Sequence, residues 1–195
     1  MHGAGRIHDR ELLDALEAFE PSPYSGTAWR TSWVTRDPLL GSAAGGRWHP
    51  PGTFEALYTS LDRDGSLAEI YYHLSRAPVF SSSHMRLHRL AVRTERTLRL
   101  DTSALLESLG IEAASFPSAE LARSQEIGSA AHFLEFDSLL VPSARSAGLN
   151  LVLFLDRLDP DHALTVADTR EINWPAWKEQ AGGPRSGRRR LKPET

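Results

Sequence analysis

Residues 45–60 read GGRWHPPGTFEALYTS, and the fold turns on how this stretch is parsed. Two glycines, an arginine and a tryptophan are followed by Pro50, Pro51 and Gly52, which punctuate a loop. ALYTS, from Ala56, then reads as a short strand, the run continuing to Leu61. Upstream the loop extends back to Asp37 through Pro38 and Gly41. Loops of this length in a compact domain usually carry function or are disordered. Trp48 argues against disorder, because an indole is stabilised by packing.

Working outward, Leu12, Leu13, Leu16 and Phe19 recur at helical spacing, and Pro21 and Pro23 end that helix. Thr27 to Val34 has strand composition. After ALYTS, Ser66 to Ser75 reads as a helix, Arg86 to Val92 and Leu98 to Leu100 as two strands, and Ser103 to Leu109 as a helix closed by Gly110. Ala119 to Phe133 is a longer helix. Ser138 to Val141 and Leu149 to Leu155 are core strands, and Ala163 to Val166 is a weaker one. Strands and helices alternate irregularly, which predicts an α+β domain rather than a βαβ array.

The 195 residues suit one domain. The absence of cysteine excludes disulfides, thiolate metal sites and a Cys nucleophile, and fits a reducing compartment. Of the 22 basic residues only Lys178 and Lys192 are lysines, leaving 20 arginines. Arginine grips phosphate and carboxylate with a planar fork. The net charge of −3 argues against nucleic-acid binding over the whole surface. From Gly183 on, five basic residues face Glu194 alone, which reads as a flexible basic tail. No run approaches a membrane span, and the first twenty residues lack a signal-peptide core, so the expected location is cytoplasmic.

Individual residues admit two readings each. Gly45 and Gly46 let the backbone approach a ligand, and Arg47 beside them could grip a pyrophosphate; a tight turn with a surface arginine is the bland alternative. Arg30, between Trp29 and Trp33, faces either a cleft or an indole. Tyr58 could stack on a flat ring or sit in the core. Ser66–Glu69 matches a helix capping box, S-x-x-E, yet a carboxylate at a helix start could also stabilise an oxocarbenium-like sugar cation. Ser143 follows Pro142 in LLVPSARSAGLN without a G-x-S-x-G elbow; it and Arg145 could hold ribose or phosphate, or close a turn. His84 and His88 lie in an alternating stretch, and no H-E-x-x-H, P-loop or Rossmann fingerprint occurs. No metal site is expected.

In order, Arg30 after a strand, GGRWHPPG, ALYTS, LAEIYYH and VPSARSAGLNLVLF resemble the RES-domain family over about Tyr24 to Val166. The name stands for Arg, Glu and Ser, matched by Arg30 or Arg47, Glu69 and Ser143. His49 departs from the Asn that usually follows GGRW. The resemblance implies a single domain similar to the ADP-ribosyltransferase fold, with central antiparallel or mixed sheets flanked by helices. It divides the chain into an N-terminal helical extension (1–23), the RES domain (24–170) and a C-terminal extension with the basic tail (171–195).

It further implies a toxin of a toxin–antitoxin pair that consumes NAD+ by cleaving the nicotinamide–ribose bond. NAD+ is then substrate, inorganic phosphate an optional co-substrate, and no cofactor is needed. The implied partner is an Xre-type helix-turn-helix antitoxin, with no direct contact to nucleic acid or membrane. Glu69, Tyr58 and Arg30 are the implied catalytic residues; Arg47, Gly45, Gly46, Ser143 and Arg145 bind substrate. An ADP-ribosyltransferase acting on a protein shares these residues. A non-enzymatic module whose tail contacts DNA is the reading from a different class.

Overall fold

The computed structural model describes residues 8–74, 84–112, 116, 121–161, 163–174 and 176–177. Among these residues six strands and four α-helices run in the order α1 (Arg10–Glu17), β1 (Ser22–Trp33), β2 (Ala56–Ser60), α2 (Arg63–Leu74), β3 (Met85–Arg99), α3 (Ser103–Ser108), α4 (Ala122–Phe133), β4 (Ser138–Pro142), β5 (Leu149–Phe154) and β6 (Leu164–Glu171). This is a mixed α+β fold: a sheet with helices packed on it.

The strand order is β1-β2-β5-β4-β3-β6, and β1 also pairs with β3. Five strands therefore close on themselves, and β6 lies along the remaining edge of β3. β3 is long enough to serve three neighbours: β1 antiparallel from Met85 to Thr97, β6 antiparallel from Arg86 to Val92, and β4 parallel from Thr97 to Arg99. The seam between β1 and β2 is thin, with Trp29 opposite Ser60 as its register pair.

Alternation along the short strands sorts the core. Leu57, Leu140, Leu151 and Leu153 point inward with Ala28, Leu90 and Val92 to fill the ring. Their neighbours Ala56, Leu139, Val141, Val152 and Phe154 point the other way, against Leu12 and Leu16 of α1 and Ile127, Ala130 and Ala131 of α4. A third cluster joins Leu67 and Leu74 of α2 to Met85 and Leu87 of β3 and to Trp174.

Three sequence expectations change. The second helix begins at Arg63, not Ser66, because the Asp62 carboxylate accepts the Gly65 N–H at 2.7 Å and starts the helix a turn earlier. Ser66 is thus inside the helix, and the S-x-x-E box does not cap it. The stretches at 86–92 and 98–100 form one strand: the polar run between them stays extended because Asp137 accepts the Glu95 and Arg96 N–H groups. Thr94, Thr97 and Ser138 link their hydroxyls beneath it. The last strand runs on to Glu171 by pairing with β3. The basic tail lies outside the described residues.

Candidate active site

A cleft of about 660 Å³ opens where β1 and β2 part. Arg30, Thr31 and Trp33 line it from β1, Tyr58 and Ser60 from β2, Ser66 and Glu69 from α2, and Asn150 from β5. The volume lies within the range of small-molecule sites.

Glu69 projects from α2 toward the start of β5. The Ser143 hydroxyl donates to Glu69 Oε1 at 2.9 Å, and Asn150 Nδ2 donates to the same oxygen at 3.2 Å. Ser143 Oγ in turn accepts the N–H groups of Arg145 and Ser146, each at 3.1 Å. Its one proton and two lone pairs are all used within the protein. Of the two readings open for Ser143, the turn is the one the contacts display: its side chain closes the turn after β4 and also donates to Glu69.

The glycine-rich loop is built around Tyr58. Gly45 has φ of 91°, a left-handed conformation that suits glycine. The Gly46 N–H donates to the His49 carbonyl at 2.9 Å, so residues 46–49 form a tight turn with Arg47 near its tip. This amide was expected to face a ligand; the turn uses it instead. The Tyr58 hydroxyl accepts the Trp48 N–H at 2.9 Å and bonds His49 Nδ1 at 3.0 Å. A Cβ at Gly46 would stand 2.6 Å from that hydroxyl, which requires glycine there. Gln125 of α4 holds the Gly46 carbonyl at 2.9 Å. Trp48 is buried, and its carbonyl lies so close to Gly128 of α4 that a Cβ there would overlap it. Burial pushes the Tyr58 hydroxyl above the ordinary phenol range, so it remains protonated.

His49, the departure from the family motif, takes part in this anchor. Its ring is buried against Phe54 and Tyr58, and burial holds its pKa below the ordinary value.

Arg30 reaches across the seam. Its Nη1 donates to the Tyr58 carbonyl at 3.2 Å and its Nη2 to the Leu40 carbonyl at 3.1 Å. Burial, aided by the like charge of Arg36, lowers its pKa to about 10, so it is charged at neutral pH. The guanidinium ties β1 to β2 and to the loop at Leu40, with Nε buried and lacking a hydrogen-bond partner.

Arg47 and Arg145 form the cationic side of the site. Arg145 stacks on the Tyr72 ring at 3.5 Å, and Arg47 lies 4.9 Å from the Phe116 ring. Burial lowers the Arg47 pKa and the like charge of Arg145 adds to this, while Glu69, Tyr58 and Tyr72 oppose it. The two guanidinium groups are near enough to repel each other and lie beside the Glu69 carboxylate.

The structure therefore gathers Ser143, Arg145, Arg47 and Tyr58 around Glu69, with Glu69 and Tyr58 lining the cleft, and uses Arg30 as a strut in its wall. Sequence reasoning missed Asn150, Tyr72 and the Thr31–Ser66 hydroxyl pair, 3.0 Å apart, on the cleft wall. Asn150 had a visible signal: a polar residue opening the apolar run NLVLF. Among the described residues no group of three His, Asp or Glu side chains could hold a metal ion, and no helix is long and apolar enough to cross a membrane.

Similar proteins carry the same architecture. The NAD(+) phosphorylases MbcT of Mycobacterium tuberculosis and of Mycobacterium bovis are each 29% identical to the chain over 159 residues, which is 78% of this chain and 86% of theirs. The crystal structure of the M. tuberculosis MbcT–MbcA toxin–antitoxin complex superimposes with a TM-score of 0.76 at 26% identity, covering 88% of this chain and 97% of that one. A family model described as the RES domain matches residues 27–176. The chain belongs to the RES-domain family.

Proposed function

We propose that this chain is the toxin of a toxin–antitoxin pair and consumes NAD+ by cleaving the bond between nicotinamide and ribose, with inorganic phosphate as the acceptor. The observation that carries this is the Glu69 carboxylate, oriented by two donors on one oxygen at the wall of a nucleotide-sized cleft, with Arg47 and Arg145 beside it. The named activity of its relatives, NAD(+) phosphorylase, supports the same reading.

The chemistry follows from charge. As the C1″–N bond breaks, its electron pair goes to the pyridinium nitrogen and nicotinamide leaves neutral. Positive charge develops on the ribose ring, and a fixed carboxylate stabilises it without reorganisation. Arg47 and Arg145 hold anions, the pyrophosphate of NAD+ and the incoming phosphate. A phosphate oxygen then attacks C1″ to give ADP-ribose-1″-phosphate. Tyr58 acts by fixing the Arg47 turn and by offering its ring to the cleft. Arg30 acts by setting the width of the seam.

The partner in this reading is an antitoxin, as in the structurally similar toxin–antitoxin complex, and we take it to be of the Xre helix-turn-helix type acting in the cytoplasm. We also take the fold to be related to that of the ADP-ribosyltransferase toxins.

Incubation of the purified chain with NAD+ and inorganic phosphate is expected to yield equal amounts of nicotinamide and ADP-ribose-1″-phosphate by mass spectrometry. Free ADP-ribose formed equally well without phosphate would replace phosphorolysis by hydrolysis. Label retained on protein would favour protein ADP-ribosylation, and unchanged NAD+ would sink the enzymatic reading.

A further inference from the structure

Asn150 is a polar residue near the start of an otherwise apolar strand, on the wall of the cleft. It lies in β5 opposite Ser60 of β2 and Val141 of β4, and the next four residues, Leu151 to Phe154, are buried in the core. Its amide is oriented by one contact, Nδ2 to Glu69 Oε1 at 3.2 Å. Turning the amide over would set its carbonyl oxygen against the carboxylate oxygen, so the orientation is fixed. The other end is left unsatisfied: Asn150 Oδ1 is buried and accepts no hydrogen bond. A buried acceptor without a donor is a net cost. The side chain bears that cost while donating to Glu69.

Both side-chain hydrogen bonds that Glu69 makes among the described residues fall on Oε1, one from Ser143 and one from Asn150. The donors come from opposite sides of a single turn, Ser143 at the end of β4 and Asn150 at the start of β5. Two donors, one from that turn and one from β5, restrain Oε1 in a way that one donor alone does not.

We propose that Asn150 is a positioning residue for Glu69: with Ser143 it locks Oε1 into the protein and presents Oε2 to the sugar. The inference rests on the NAD+-cleaving reading of the cleft. It assigns Asn150 to the step in which the ribosyl charge develops and not to substrate affinity, so its loss falls on kcat.

The test compares Asn150→Ala and the isosteric Asn150→Asp with Ser143→Ala and the Ser143→Ala/Asn150→Ala double variant. NAD+ cleavage is measured in phosphate and folding is checked by circular dichroism and thermal unfolding. Both Asn150 variants are expected to lose about tenfold or more in kcat with KM within about threefold of the parent, the signature of a group that acts in the transition state. The double variant is expected to lose much less than the product of the single losses, because both donors serve one carboxylate.

Wild-type kcat in folded Asn150→Ala and Asn150→Asp would overturn the proposal, as would a loss confined to KM or a loss in step with unfolding temperature. A parent protein that releases no nicotinamide would instead overturn the reading of the cleft, so the two failures are distinguishable.

Discussion

At the scale of single residues, the proposed function divides the site into groups that would meet substrate and groups that hold those groups in place. Glu69→Gln keeps the shape and the Ser143 contact but removes the charge. It is expected to lower kcat by about 10²–10³, the usual consequence of deleting one preorganised electrostatic group, and calorimetry on the same sample should give an unchanged unfolding temperature. Arg47→Ala is expected to raise the KM for NAD+ about tenfold, equivalent to about 1.4 kcal/mol of binding, with a smaller effect on kcat; an unchanged KM would remove Arg47 from the pyrophosphate contact. Sequence alone made Glu69 and Arg47 conspicuous, since a carboxylate and an arginine in such settings have few chemical uses. It could not reveal that Ser143 and Asn150 converge on one oxygen, because the two lie 74 and 81 residues from Glu69. Nor could it show that Arg30 spends two of its donors on backbone carbonyls.

At the scale of elements, the short runs at 138–142 and 149–154 were legible as strands because their apolar centres are buried on both faces, and ALYTS at 56–60 because its residues follow a Pro- and Gly-punctuated loop. The start of α2 was not. Two cap signals overlap there, and the choice between Asp62 and Ser66 was decided by an aspartate–amide hydrogen bond absent from any periodicity. The long β3 was hidden in the same way, since its polar middle is kept extended by Asp137, 42 and 41 residues downstream of the amides it accepts. The GGRW loop depends on α4 through Gly128, where the Trp48 carbonyl occupies the space of a side chain. Gly128→Ala is expected to destabilise the fold by about 1–3 kcal/mol, about 2–4 °C in Tm for each kcal/mol. A thermal melt at or above that of the parent would show that the contact is not tight.

At the scale of the molecule, five strands closed into a ring couple the cleft to the whole core, because β1 and β2 are at once its walls and two sides of that ring. Two buried imidazoles sit in this frame. His49 braces Tyr58, and His88 bridges Ser32 of β1 to Thr169 of β6. Burial lowers the pKa of both from the ordinary 6.5; Arg30 and Arg86 depress His88 further, and Asp37 opposes them. The unfolded chain therefore takes up protons that the folded chain resists. Their contribution is complete above pH 6.5 and is lost as the pH falls below it. Tm is expected to fall with acidification through this window, and His49→Asn combined with His88→Gln to flatten the slope; an equally steep profile in that variant would assign the effect to other groups. The closed ring also bears on genetics. On the proposed reading, in a selection for cells that survive expression of this chain alone, inactivating changes should not crowd around Glu69. They should scatter through the strands and recur at Gly128, a residue outside the cleft lining whose single hydrogen atom makes room for the loop that carries Arg47.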